Sequence, residues 1–262
     1  MPEALTRRRL LMAASGALLA APATAAAAPV VAAASDLRFA LPEIADAFAA
    51  GGGSPLRLVF GSSGNFYRQI LQGAPYALYL SADEDYVLRL AERGHAPDAG
   101  ALYAIGRIVL FAPTGSPLEV DPALDGLERA LGAGRITRFA IANPEHAPYG
   151  RRAEEALRYR GLWQPLRPRL VLGESVAQAA QFAVSGSTQG GIFAHALAEG
   201  PGMGERGRYA LIPAEWHAPL RQRMVLLRPE DALARRFFAF LQGPEAGAVL
   251  RRYGFELPGG SG

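Results

Sequence analysis

Two adjacent serines stand between glycines in GSSGNFYRQI, residues 61–70, directly after the strand-like LRLVF and at the head of a helix-like run. A strand-to-helix turn built from such small residues leaves backbone N–H groups and hydroxyls aimed at open space, a way to hold an anion without a positive side chain. The same letters fit a plainer role, because serine is a favoured helix N-cap and glycine the default turn residue. Both readings stand at the level of this stretch.

Other chemistry is thin. A hydrolase elbow of the form G-x-S-x-G is missing, since GSSG lacks the spacing. There is no P-loop, no H-E-x-x-H and no H-x-E with paired cysteines. LGAGRIT has a G-x-G but no third glycine, and it precedes a strand rather than a helix. His95, His146, His195 and His217 are scattered and read as surface or packing residues, with none expected in the turns that would build a site. Asp83, Glu84 and Asp85 follow a strand and read as the acidic first turn of the next helix, where they suit the dipole. No catalytic residue and no cofactor is expected, and an enzyme reading has no nucleophile and base to rest on.

The elements that must position the serines alternate. PVVAAAS reads as a buried strand ending at Ser35, DLRFALPEIADAFAAGGG as a helix that Pro42 should kink or restart, LRLVF as a strand, NFYRQILQG as a helix closing on Gly73, ALYLSAD as a strand and DYVLRLAERG as a helix. YAIGRIVLFAP reads as one longer strand. The pattern then repeats in kind: ITRFAIANP strand, RRAEEALRYRGLW helix, LRPRLVLG strand, SVAQAAQFAVSG helix with Ser175 and Gln178 at capping-box spacing, and GGIFAHAL a strand or a strand followed by a turn. RQRMVLLRP looks like a returning strand, followed by two terminal helices. Two such α/β units predict a mostly parallel sheet in each and two lobes joined by two crossings. Ligands in open α/β sheets sit outside the carboxyl ends of the strands, so the turns after Ala34, Phe60, Asn143 and Gly173 mark the expected cleft. The expected division is residues 29–106 with 224–258 as one lobe, 107–223 as the other, and 259–262 as a disordered tail.

Composition agrees with an exported globular protein. All 27 basic residues are arginine, and there is no cysteine, so neither a disulfide, a thiolate metal site nor a lipid-bearing cysteine is available. TRRRLLMAASGALLAAPATA reads as an export signal over residues 1–25, with arginines first, a mild apolar stretch, and small residues at Ala23-Thr24-Ala25. Thr6-Arg7-Arg8 followed by Leu10-Leu11 also resembles the twin-arginine type. Beyond that segment 24 basic and 23 acidic residues remain, a net charge of about +1, which gives a nucleic acid nothing to grip. The pairs Arg151-Arg152 and Arg251-Arg252 read as solvated helix faces.

The segments VAAASDLRFALPEIADAF, FGSSGNFYRQI, GAPYALYLSADE, YAIGRIVLF, IANPEHAPYG, GESVAQ and FLQGPEAGAVLRRYGF, in this order over residues 30–254, resemble the periplasmic molybdate-binding proteins of ABC transporters. The resemblance implies the two-lobed type II periplasmic-binding-protein architecture, an α/β fold with a ligand cleft between the lobes. It implies capture of molybdate or tungstate and delivery to a membrane permease; a protein that must dock and release is most simply a monomer. Carried over by position, it implies Ser35 and Ser63 as hydroxyl donors, Val176 as a backbone donor from the second lobe, Asp36 as a backbone donor with its carboxylate turned away, and Tyr149 of the PYG turn near the oxyanion. These groups would contact the oxygens, with no direct metal ligation. Ala194 stands where another branch has a binding tyrosine, so the chain resembles the branch with tyrosine in PYG. The bottom-up alternatives are another oxyanion, such as sulfate, or a secreted enzyme on the same fold.

Overall fold

Short runs of small and β-branched residues build the centre of each half. The computed structural model describes residues 28–259; the export segment and residues 260–262 of the expected tail lie outside the described residues. The strands are β1 Val30–Ala34, β2 Arg57–Gly61, β3 Leu78–Ser81, β4 Ala101–Gly106, β5 Ile108–Pro113, β6 Phe139–Ala142, β7 Leu170–Gly173, β8 Gly191–Ala194, β9 Gly207–Leu211 and β10 Leu220–Leu226. They form two five-stranded sheets, ordered β2-β1-β3-β10-β4 and β7-β6-β8-β5-β9. In each, three strands run parallel and a strand arriving from the far side of a crossing pairs antiparallel to them. This is a two-lobed α/β architecture, and both sheets follow one plan.

Two expectations change in detail, and a third difference is a strand the sequence reading did not include. YAIGRIVLFAP is two strands in different sheets, broken at Arg107, and this residue is the first crossing. Gly106 is the one break in an otherwise strand-like run, and a single residue separates the two strands. β10 enters the first sheet at Leu220, pairing with Gly106, so the second crossing lies between Leu211 and Leu220 rather than at the expected 223/224 boundary. The crossings are tied together, with the Arg107 guanidinium donating to the Ile212 carbonyl at 3.2 Å and to Glu256 at 3.0 Å. The third is β9, which pairs with β5 as an edge strand and was not legible, because GRYAL has neither alternation nor a flanking turn of the usual kind.

Pro42 resolves as a restart. A 3-10 turn over Ser35–Arg38 precedes the helix Ala40–Ala50, and the proline falls in that helix's first turn, where its missing N–H would have no intrahelical acceptor. One apolar cluster fills the second lobe, and two flank the first sheet; Ala34 and Ala82 of the first lobe join the second lobe's cluster, so the lobes meet dry beside the cleft.

Candidate oxyanion site between the lobes

Four segment starts converge where the lobes meet. β1 delivers Ser35 and Asp36 at the head of the 3-10 turn, β2 delivers Gly61-Ser62 into the helix Ser63–Leu71, β6 leads to the helix Pro148–Tyr159, and β7 leads to the helix Val176–Val184. Proline at the first position of Pro148–Tyr159 is pre-set for helix geometry. The cavity they enclose has a volume of about 10 Å³, near the least that holds one water, and its wall includes all five expected residues, Ser35, Asp36, Ser63, Tyr149 and Val176. Among the described residues that line it, only Asp36 and Tyr149 are ionisable, and none is an arginine.

The paired serines divide the two readings between them. Ser62 is the N-cap, its Oγ accepting from the Asn65 N–H at 3.3 Å. Ser63 is buried, and its Oγ accepts from the Ala82 N–H at 3.0 Å. Ser35 is matched to it: its Oγ accepts the Ala177 N–H at 3.2 Å, across the lobes. A hydroxyl carries one proton beside its lone pairs, so both serines have a lone pair occupied and a proton to donate at the cavity. Val176 opens its helix, at a position whose N–H has no intrahelical acceptor. Three α-helix starts contribute positive dipole ends to the same wall. Ser175 caps the last of them, accepting from the Gln178 N–H at 3.4 Å, while the Gln178 side chain accepts the Glu174 N–H at 2.6 Å.

Tyr149 and Asp36 make a further arrangement. The Tyr149 hydroxyl donates to Asp36 Oδ2 at 2.9 Å, and the Gln222 amide donates to the same oxygen at 2.6 Å and to the Tyr149 oxygen at 3.0 Å. Burial pushes the Asp36 carboxyl up to about 6, against the opposing bonds from Gln222 and Tyr149. The Asp36 carboxylate thus lies in a polar cluster shared by both lobes, and among the described residues Oδ1 has no hydrogen-bond partner. Ala194 closes β8, paired with Ile108, and is not part of the wall.

Two expectations from sequence are corrected here. His146 is buried in the turn before Pro148 and its Nδ1 lies 2.9 Å from Ser62 Oγ, so a histidine does sit in the turns that build the site, although it does not line the cavity. Its carbonyl accepts from the Gly64 N–H at 3.0 Å, another bond between the lobes. Arg151 and Arg152 are not a solvated face: Arg152 is buried and pairs with Glu155 at 2.7 Å, and both arginines reach Asp83 of the first lobe, at 3.6 and 3.5 Å. Asp83 also caps the helix Glu84–Glu92, as its acidic first turn suggested. Among the described residues no group of three or more histidines or acids could hold a metal ion, and no helix is long and apolar enough to cross a membrane.

Sequence reading missed Gln222. The signal was present: in β10 the buried side chains alternate as Leu220, Gln222, Met224, so period two puts an amide on an apolar face. An inward polar residue in such a strand must have buried partners.

Two α/β lobes shut on a donor-lined cavity define a solute-binding protein. The family model described as bacterial extracellular solute-binding protein matches residues 29–256. The molybdate-binding protein ModA of Rhodobacter capsulatus is 36% identical over 216 residues, covering 81% of this chain and 82% of its own. ModA of Azotobacter vinelandii is 32% identical over 250 residues, covering 94% and 97%. The solved structure of the Azotobacter vinelandii periplasmic molybdate-binding protein superposes with a TM-score of 0.80 at 31% identity, covering 88% of this chain and 99% of that one. The chain belongs to the bacterial extracellular solute-binding proteins, in their ModA-type group.

Proposed function

We propose that this protein captures molybdate, with tungstate as a congener, outside the cytoplasm and delivers it as a monomer to the permease of an ABC transporter. It acts by binding and not by catalysis. The observation that carries this is the pair of buried serine hydroxyls, Ser35 and Ser63, each with a lone pair taken by a backbone N–H and its proton left to donate. ModA-type relatives supply the ligand's identity.

In this reading Ser35, Asp36 and Ser63 form one jaw, and Tyr149 and Val176 the other. The serine protons and the backbone N–H groups of Asp36 and Val176 meet the oxygens of the anion. Each hydrogen bond to a charged group contributes roughly 1.5–3 kcal/mol, against the cost of desolvation and closure. Donors without acceptors penalise hydrogen phosphate, whose O–H would be buried unpaired. Sulfate shares the charge and shape of molybdate and is separated by size alone. Export places the protein in the periplasm, by the twin-arginine route that Arg7 and Arg8 suggest.

The test is calorimetric titration of the ligand-stripped protein with molybdate, tungstate, sulfate and phosphate in turn. One-to-one binding of the first two, with sulfate and phosphate at least a hundredfold weaker, is the expected result, about 2.7 kcal/mol of discrimination. Silence from all four would reduce the reading to fold alone.

A further inference from the structure

The polar cluster behind the cavity has two members that do not line the cavity, Gln222 and Tyr103. Gln222 is fully buried on β10, and the register against β4 shifts between Gln222 and Arg223, an irregularity of the kind that re-aims a side chain. Its Oε1 lies 2.7 Å from the Tyr103 hydroxyl, also buried. A glutamine amide has an acceptor end and a donor end, and the neighbours choose between them. With Oε1 toward Tyr103, the phenol donates and Nε2 has two hydrogens for Asp36 Oδ2 and the Tyr149 oxygen. Flipped, the amide would set its carbonyl oxygen against the carboxylate of Asp36, acceptor against acceptor.

That orientation has a consequence for Tyr149. Its oxygen already accepts a proton from Gln222, so its own proton goes to Asp36 Oδ2. The backbone makes room for the arrangement: a side chain at Gly106 would collide with the Tyr149 hydroxyl and stand 2.8 Å from Gln222 Nε2. Asp36, Tyr103 and Gln222 come from the first lobe and Tyr149 from the second, so the cluster is complete only with the lobes shut.

We propose that Gln222, oriented by Tyr103, is a positioning residue for anion capture, fixing Asp36 and Tyr149 in the cavity wall and joining the two lobes behind the ligand. The proposal rests on the oxyanion reading of the cavity. It gives the amide direction, and not merely its bulk, a role in affinity.

A double-mutant cycle tests it, with wild type, Tyr103→Phe, Gln222→Met and the double variant titrated with molybdate and their ligand-free melting temperatures recorded. Tyr103→Phe removes the bond that holds Oε1 and loosens the amide; it is expected to lower affinity about three- to tenfold, the scale of one hydrogen bond, beyond a modest fall in the ligand-free melting temperature from the buried acceptor left unpaired. Gln222→Met removes both donors and is expected to lower affinity at least about tenfold, with faster release. The double variant should bind like Gln222→Met alone, because Tyr103 acts through the amide. Additive losses, or affinities of both single variants within about twofold of wild type, would overturn the proposal while leaving the oxyanion site intact. Should Gln222→Met fail to fold, Tyr103→Phe still decides, because unchanged affinity in that variant overturns the proposal. Failure of wild type to bind any of the four anions would overturn the site reading and this proposal together.

Discussion

Ser62 and Ser63 are neighbours with different tasks, and this makes them separable. Ser62→Ala removes a helix N-cap and a side-chain contact to His146 of the other lobe, and is expected mainly as a lower melting temperature, the cap alone being worth roughly 1 kcal/mol, with a smaller loss of affinity than at Ser63. Ser63→Ala is expected to leave the fold standing and weaken molybdate binding at least tenfold, since a hydrogen bond to a charged group is worth about 1.5–3 kcal/mol. Calorimetry and melting curves on the two variants check the division; equal effects on affinity would contradict it. Asp36 adds a pH signature. Its carboxyl sits at about 6 against an ordinary 3.8, mainly through burial, so between those values the folded protein keeps a proton that the unfolded chain has released. Stability from this group is therefore present at low pH, falls as pH rises through that window and levels off above it. Asp36→Asn keeps an acceptor for Gln222 and Tyr149 and removes the titration. The variant's melting temperature is expected to gain on wild type between pH 4 and 7, by an amount on the order of 2–3 kcal/mol. A constant difference across that range would show that Asp36 ionises as an exposed acid does.

At the scale of elements, local patterns carried the sequence reading far and topology carried the rest. The helix over Ser63–Leu71, its stop near Gly73 at φ +82°, and the cap at Ser175 were legible because each is specified within a few residues. The break at Arg107 was not, because nothing local distinguishes a strand that changes sheets from one that continues. The inward faces of Arg152 and His146 were invisible for a related reason: each is buried by the opposite lobe, and one lobe's letters do not record the other's approach. The five cleft residues came from strand ends and a resemblance, whereas the period of β10 marks Gln222 only as an inward polar residue and its partners needed the register of β10 against two strands. One cap can be tested in the same terms. Ser175→Ala should loosen the first turn of Val176–Val184 at a cost of about 1 kcal/mol, and since Val176 stands in that turn, affinity should fall as well. Hydrogen exchange confined to residues 176–179 would locate the loosening; protection unchanged there would separate the cap from the site.

For the whole molecule the question is what lets two lobes shut on so small a cavity. Gly64 and His146 provide one contact made of backbone alone, and a methyl group at Gly64 would stand 2.5 Å from the His146 carbonyl oxygen and 2.7 Å from the Tyr86 hydroxyl. Real side chains do not approach a carbonyl that closely, so Gly64→Ala should hold the lobes apart without altering any hydroxyl in the cavity wall. Helix propensity works in the opposite direction, because alanine inside Ser63–Leu71 is favoured over glycine by roughly 0.8–1 kcal/mol. The ligand-free protein, if it opens, should then be as stable as wild type or more so, while molybdate binds at least tenfold more weakly and dissociates faster, a loss of about 1.4 kcal/mol or more. Small-angle scattering distinguishes this from a damaged site. At saturating molybdate Ser63→Ala should reach the compact dimensions of wild type, whereas Gly64→Ala should stay expanded because the obstacle lies between the lobes. Equal compaction of both variants would mean that the Gly64 contact yields under load and that closure is set by the ligand-binding groups alone.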